Sequence, residues 1–242
     1  MNFWEIRSYF SKLLNPPLEP EKGYDIWADI YDSKENNLVF MLEGKILDSL
    51  LKETDLNGKV VLDFGCGTGR NWQRLLDKKP QEIIGCDISR EMLAQLRMRY
   101  PGSKTYWTDQ KSVLPFQHES FDLIFSTLVI GHIKNLRPIF ESWYNWLKPG
   151  GFLLITDLHP QILASGGKRT FEKSKKIYEI RNYVHSLDQL RNFCSLFRLN
   201  LIEIDEKYIN EELKDFYESK NALHVYDRFF GLPLVYGMLM RK

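Results

Sequence analysis

Much of what this 242-residue chain lacks bears on what it can do. Cysteine is scarce. Cys66, Cys86 and Cys194 form an odd set with no CxxC pair, which argues against a disulfide framework and against a zinc site. A dominant charge is missing too: 33 Lys and Arg face 32 Asp and Glu, a net charge of +1. No global field therefore favours nucleic acid or an acidic membrane as partner. No apolar run approaches the ~18 residues of a membrane span. The opening MNFWEIRSYFSKLLNPP holds no unbroken apolar stretch of signal-peptide length. Internal repeats and low-complexity tracts are also absent. The expectation is a cytoplasmic protein with one domain over 1–242. Its 43% hydrophobic and 14% aromatic content suffices for one sizeable core.

Short apolar, β-branched runs recur at 59–63, 82–87, 104–108, 121–126, 150–156, 199–204 and 233–240. Most are separated by stretches of helical character, the rhythm of a parallel α/β sheet. Ser89 is placed to cap a helix that carries Met92, Leu93 and Leu96 on one face. Ser186 with Gln189 reads as a capping box. Lys148-Pro149-Gly150-Gly151 reads as a turn feeding a strand. The final run starts no further crossover, so it is expected to pair antiparallel with the strand before it. Two stretches break the alternation. Residues 157–186 are too long for an ordinary loop, and Gly166-Gly167 predicts a hairpin cap over the sheet edge. Residues 210–231, with Phe216, Tyr217, Tyr226, Phe229 and Phe230, read as core or cap packing that can form a second wall.

The chemistry concentrates in VLDFGCGTGRNWQRL, residues 61–75. A buried strand runs into glycines at alternate positions and then into a helix. Such glycines let the backbone approach a ligand closely, and a helix N-terminus favours a negative group. The next strand delivers Asp87, eighteen residues after Gly69, where a carboxylate can accept both hydroxyls of a ribose. A nucleoside-bearing ligand across the first two strands is implied. A dinucleotide site wants a third glycine where Arg70 stands. Asp63 beside the turn is unwelcome to a pyrophosphate and suits an ammonium group. The residues thus favour a methyl donor with a methionine moiety over NAD.

Five blocks occur in order: Tyr24-Asp25-Ile26-Trp27-Ala28-Asp29-Ile30-Tyr31-Asp32, VLDFGCGTGR, IIGCDIS at 83–89, LPFQHESFDLIFS at 114–126 and LKPGGFLLITD at 147–157. In these the chain resembles class I S-adenosylmethionine-dependent methyltransferases, particularly the small-molecule branch of ubiquinone and menaquinone biosynthesis. The resemblance implies an α/β Rossmann-like fold, a seven-stranded mostly parallel sheet with an antiparallel last strand, in the order 3-2-1-4-5-7-6. It also implies S-adenosyl-L-methionine as cofactor. Asp63 and the backbone at Gly65, Cys66, Gly67 and Gly69 would hold its methionine end. Asp87 would grip the ribose, Ile88 the adenine face, and Asp109 with Gln110 the adenine amino group. Ser126 would offer its carbonyl to the ammonium group. Tyr31 and Tyr24 would reach the carboxylate from a helical lid over 1–36; seven residues apart, they share a helix face.

On the acceptor side, His159 after the fifth strand and His132 after the fourth are the candidate catalytic bases, His159 being favoured for its nearness to the cap at 157–186. Each also has an ordinary reading as a hydrogen-bonded structural histidine. His185 reads mainly as a helix-cap neighbour and His118 as a solvated turn residue. Cys66 and Cys86 read as small packing residues. The cations Lys168, Arg169, Lys173, Lys175 and Lys176 are interrupted by Glu172 and Glu179 and read as a solvated hairpin face. Phe3, Trp4, Phe10, Leu13 and Leu14 read as a helix packed over the pocket, not one lying on a membrane. The expected partner is a small-molecule methyl acceptor, with no nucleic acid, no metal and no stable membrane insertion. A catalytically silent cofactor-binding protein and, behind it, an NAD-dependent oxidoreductase are the alternatives.

Overall fold

The computed structural model of the chain describes residues 16–33, 37–109 and 114–242. The expectations for Phe3, Trp4, Phe10, Leu13, Leu14 and Gln110 lie outside those residues, as does much of the 1–36 lid. The described chain starts with helix α1 (Pro20–Trp27), whose proline at the first position is preset for the helix. Helix α2 (Leu38–Leu50) follows, with the Asn37 side chain accepting the N–H groups of Val39 and Phe40.

From there strand and helix alternate: β1 (Val60–Phe64), α3 (Trp72–Leu76), β2 (Glu82–Asp87), α4 (Arg90–Arg99), β3 (Lys104–Trp107), β4 (Phe121–Thr127), α5 (Arg137–Trp146) and β5 (Leu147–Leu158). A short helix α6 (Pro160–Ala164) leads to the hairpin β6 (Thr170–Lys173) and β7 (Lys176–Glu179). Helix α7 (Leu187–Leu196), β8 (Asn200–Tyr208), α8 (Lys214–Ser219), α9 (Leu223–Phe229) and β9 (Pro233–Arg241) complete the order. Ser89 and Ser186 cap α4 and α7 by accepting from Met92 N and Gln189 N at 3.1 Å each.

Seven strands form one sheet in the order β3-β2-β1-β4-β5-β9-β8. β1 to β5 pair in parallel, and β9 runs antiparallel between β5 and β8. With the hairpin set apart as its own two-stranded sheet, this is the order the sequence resemblance implied. Strand alternation divides the core. Val61, Leu123, Phe125 and Leu154 pack with α2, α3 and α4 on one face, while Leu62, Ile124, Leu153 and Ile155 pack with Phe140 and Trp143 of α5 and Leu190 of α7 on the other. Each such side chain contributes about 1.5–3 kcal/mol by its burial.

Two local expectations need correction. Helix α5 runs straight into β5, and Gly150 (φ +77°) lies inside that strand, where its register against β4 shifts, so no separate turn precedes the strand. The β6–β7 hairpin exists, but it reverses at Ser174-Lys175, both in the left-handed region. Gly166 and Gly167 instead close α6, donating to the carbonyls of Leu163 and Ile162 in the double-bonded helix stop that glycine favours. Among the described residues no helix is long and apolar enough to cross a membrane.

Candidate active site

The glycine turn is drawn over the end of β2. Gly65 N and Cys66 N both donate to the Cys86 carbonyl, at 2.8 and 3.0 Å. Gly65 takes φ +77°, and a side chain there would collide with Val129. Gly67 takes φ +52°, and a Cβ on it would meet nothing within 4 Å, because it faces an open cavity. That cavity, of about 600 Å³, spans the C-terminal ends of β1, β2 and β4, the usual place for a ligand in an open α/β sheet.

Asp87 stands at its edge. Its Oδ2 accepts from Gly67 N and its Oδ1 from Ser89 N, each at 2.8 Å, so this carboxylate shapes the turn that lies beside it. Burial pushes its pKa up to about 6, against the pull of those N–H donors. Asp63 lies beneath the turn, 2% exposed. Trp72 Nε1 donates to its Oδ2 at 2.8 Å, while Oδ1 is buried without a hydrogen-bond partner among the described residues. Burial pushes Asp63 up to about 7, with the Trp72 hydrogen bond opposing. A glycine facing empty space and a carboxylate at the strand end suit a ligand with a nucleoside.

Of the residues proposed from the sequence, Tyr24, Tyr31, Gly65, Gly67, Asp87, Ile88 and His132 lie on the cavity wall. Asp63, Cys66, Gly69 and Ser126 do not. Cys66 packs against Gly85, and a Cβ on Gly69 would press on Leu96 and Tyr100 of α4. Ser126 is wholly buried within β4, and the wall continues instead through Thr127, Leu128 and Val129. Asp109 is exposed, with Thr108 on the wall before it. Burial pushes the thiols of Cys66 and Cys86 well up, so both are ordinary packing groups at neutral pH.

The lid and the cap meet on His132. Its Nδ1 is 2.8 Å from the Arg181 carbonyl, an acceptor only, so Nδ1 carries the proton. Nε2 therefore accepts from the Tyr24 hydroxyl, also at 2.8 Å. Burial, aided by the Arg169 charge, holds the His132 pKa well below its usual value, so the ring is neutral. A run of stacked rings, Tyr24 on Trp27, Trp27 on Phe171 and Phe171 on Tyr178, fastens α1 to the hairpin.

His159 is placed otherwise than the sequence reading favoured. It borders neither of the two cavities described here. Its Nδ1 accepts from Gln161 N and caps α6, its Nε2 lies 2.7 Å from Glu206 Oε1, and its ring meets Tyr236 edge-on. Proline at the first position of α6 makes the preceding residue the natural cap, and a histidine fills that role here. His185 is likewise structural, 2.8 Å from the Ile133 carbonyl. Arg169 was misread as part of a solvated face. It is 8% exposed, pairs with buried Asp157 and donates to the Leu128 carbonyl at 3.1 Å. The carboxylate at the end of β5 needs a countercharge, and only the fold brings the hairpin's arginine to it.

Residues 62–155 match a family described as a methyltransferase domain. An uncharacterized methyltransferase of Emericella nidulans is 28% identical over 81% of this chain and 83% of its own. A malonyl-[acyl-carrier protein] O-methyltransferase of a Marinomonas species is 30% identical over 75% of this chain and 66% of its own. An S-adenosylmethionine-dependent methyltransferase from Mesorhizobium loti shares the fold, with a TM-score of 0.63 at 18% identity over 83% of this chain and all of its own. The chain belongs to the class I S-adenosylmethionine-dependent methyltransferases.

In this methyltransferase the arginine that departs from the dinucleotide pattern has a structural role. Arg70 pairs with Glu43 of α2, whose side chain is fully buried, and lies 4.1 Å over the Phe40 ring. Glu43 also accepts from Thr156 Oγ1 of β5. The pair ties the glycine turn to the helix behind it, and a third glycine would lose that tie.

Proposed function

We propose that this methyltransferase acts on a small-molecule O, N or C nucleophile and that transfer takes place where Tyr24, Leu128 and His132 meet. The observation that carries this reading is a shared wall: Tyr24, Tyr31 and Leu128 line both the 600 Å³ cavity and a second one of about 230 Å³. One cavity suits the cofactor and the other the acceptor, with the Tyr24 hydroxyl between them.

S-adenosylmethionine, when bound, supplies a methyl group already activated by positive sulfur. The protein's task is alignment, exclusion of water and care of one proton. The Gly65–Gly67 backbone and Asp87 would hold the nucleoside and Ile88 the adenine face. Asp109 and Ser126, off the wall, are left with at most an indirect part. Asp63 would act through the turn above it, lending negative potential toward the methionine end. Tyr24 Oη, donating to His132 Nε2 and accepting from Arg169, would have one lone pair left for an O–H or N–H of the acceptor. That bond would orient the donor toward the methyl group, neutral His132 fixing the hydroxyl through Nε2, and the acceptor's proton would leave to water after transfer. The stacked rings of lid and cap keep water out. The kinship with a malonyl-[acyl-carrier protein] methyltransferase makes a carboxylate oxygen one acceptor to include.

The test is incubation with isotopically labelled donor and a metabolite extract, followed by mass spectrometry for labelled products. Label in low-molecular-weight compounds, lost in Tyr24→Phe with cofactor affinity retained, is the expected result. Label confined to protein or nucleic acid would overturn the small-molecule reading.

A further inference from the structure

Helix α1 and the residues beside it wall the larger cavity through Pro20, Tyr24 and Tyr31, and this lid is attached unequally on its two sides. Toward the hairpin it is held along its length. Leu18 N donates to the Glu179 carbonyl and Arg181 N to the Leu18 carbonyl, at 2.8 Å each. Lys173 Nζ donates to the Ile26 carbonyl at 2.8 Å, the Trp27 and Phe171 rings stack at 4.7 Å, and a Cβ on Gly23 would strike Ile180. Lid and hairpin thus form one unit. Toward α4 the attachment is lighter. Met92 packs with Trp27 and Ala28, and Arg99 pairs with Asp32 across a half-exposed edge, a kind of pair that adds little. Asp25 makes a contact of another kind.

Its Oδ1 accepts from Ser89 Oγ at 2.6 Å and from Glu91 N at 3.3 Å. Ser89 is wholly buried and starts α4, where its Oγ accepts Met92 N. One hydroxyl satisfies one of the free N–H groups of a helix start, and a carboxylate there is favoured by the helix dipole. Asp25 takes a second N–H. By binding the Ser89 proton it also turns a lone pair of that hydroxyl toward Met92 N. The start of α4 is therefore capped partly from within and partly from the lid. The backbone of the same serine donates to Asp87 Oδ1, and Asp87 Oδ2 accepts from Gly67 N, at 2.8 Å each. A chain of hydrogen bonds runs from the lid through Ser89 and Asp87 to the glycine turn. The charge of Asp25 also reaches Asp87 and helps burial push its pKa up; the other titratable groups around Asp87 are Asp63, Tyr24, Cys66 and Cys86.

We propose that Asp25 is a positioning residue for the cofactor: it completes the cap of α4 from the lid, so that closing the lid and fixing the Asp87 carboxylate for the ribose are one event. This rests on the cofactor site proposed above and goes beyond it. A departing cofactor parts the lid from α4, and Asp25 gives up both donors as it does so.

Surface plasmon resonance on the immobilised full-length chain reads the release of S-adenosylhomocysteine. Asp25→Ala should release it roughly tenfold faster, the loss of a hydrogen bond to a charged acceptor, with association changed less than about threefold. Asp25→Asn keeps an acceptor for Ser89 and should restore release to within about threefold of wild type. Asp25→Ala combined with Ser89→Ala should release no faster than the faster single variant, since the two share one contact. Calorimetry across pH supplies a readout that mere loosening of α4 would not move. In Asp25→Ala and Asp25→Asn alike, the acid-side fall in affinity should shift to lower pH, because Asp87 loses a like charge beside it. Release by a folded Asp25→Ala protein within about twofold of wild type, or an acid limb unmoved in both variants, would overturn the proposal. If Asp25→Ala does not fold, the acid limb of Asp25→Asn decides the matter alone. Asp87→Ala is the control: full affinity there would refute the ribose assignment itself, a distinct outcome.

Discussion

Replacing Asp87 by alanine tests the cofactor site most sharply. In the free protein this carboxylate borders the cavity and accepts Gly67 N and Ser89 N at 2.8 Å each. Two hydrogen bonds from a ligand's ribose to a charged acceptor are worth about 1.5–3 kcal/mol each. Water can replace the lost side chain in so open a cavity, so about 3 kcal/mol net is a fair expectation, or roughly a hundredfold in Kd. Loss of the Gly67 N–H contact loosens the turn and adds to the effect. Calorimetry with S-adenosylhomocysteine reads the affinity, and a melting curve reads the fold. The pH dependence offers a second reading of the same group. With its pKa raised to about 6, Asp87 is protonated below that pH and stops accepting. Wild-type affinity should therefore fall about tenfold per pH unit below about pH 6, with proton release on binding, and Asp87→Ala should flatten that limb. An affinity within about threefold of wild type in a folded Asp87→Ala protein would refute the ribose assignment.

Gly67→Val puts a branched side chain at φ +52° into the cavity, and should abolish cofactor binding in calorimetry while the strands beneath stay folded. His132→Ala should lower kcat by roughly 10²–10⁴-fold at nearly constant cofactor affinity. His159→Ala should instead lower the melting temperature, through a lost helix cap worth about 1 kcal/mol, and leave kcat near wild type; the reverse pattern would return the catalytic role to His159. Glu43→Ala strands the Arg70 charge and should cost about 3–5 kcal/mol in denaturant unfolding. Asp63 and Asp87, at about 7 and about 6, bind protons more tightly folded than unfolded, where a carboxyl titrates near ~4. Their contribution to stability is thus complete below about pH 4 and lost as pH rises through 6 to 7. Melting temperatures of the unliganded protein should show that slope, and Asp63→Asn should reduce it.

The alternation of strands and helices, the glycine turn and the carboxylate at the end of β2 follow from local signals: short apolar runs, glycines at alternate positions and a spacing of one βαβ unit, while the order of the sheet came only with the family resemblance. Such signals survive in a linear string because each is set by neighbours in sequence. The capping roles of Ser89 and Ser186 were legible for the same reason. What the string did not carry was any relation between distant segments. Asp63 reads like a wall residue, yet strand alternation and the Trp72 indole place it under the turn. His159 and His132 look equivalent after their strands. A helix start turns the first toward Glu206, and the convergence of lid and cap turns the second onto Tyr24. Arg169 looks like one more surface cation until β5 ends in a buried carboxylate beside it. The chamber behind Leu128 has no sequence signature at all. Its walls come from α1, α2, β5, α6, β6, α8, α9 and β9 and the segments between them. Its charge balance and volume depend on how those pieces pack, and packing is decided by the whole core rather than by any one stretch of chain.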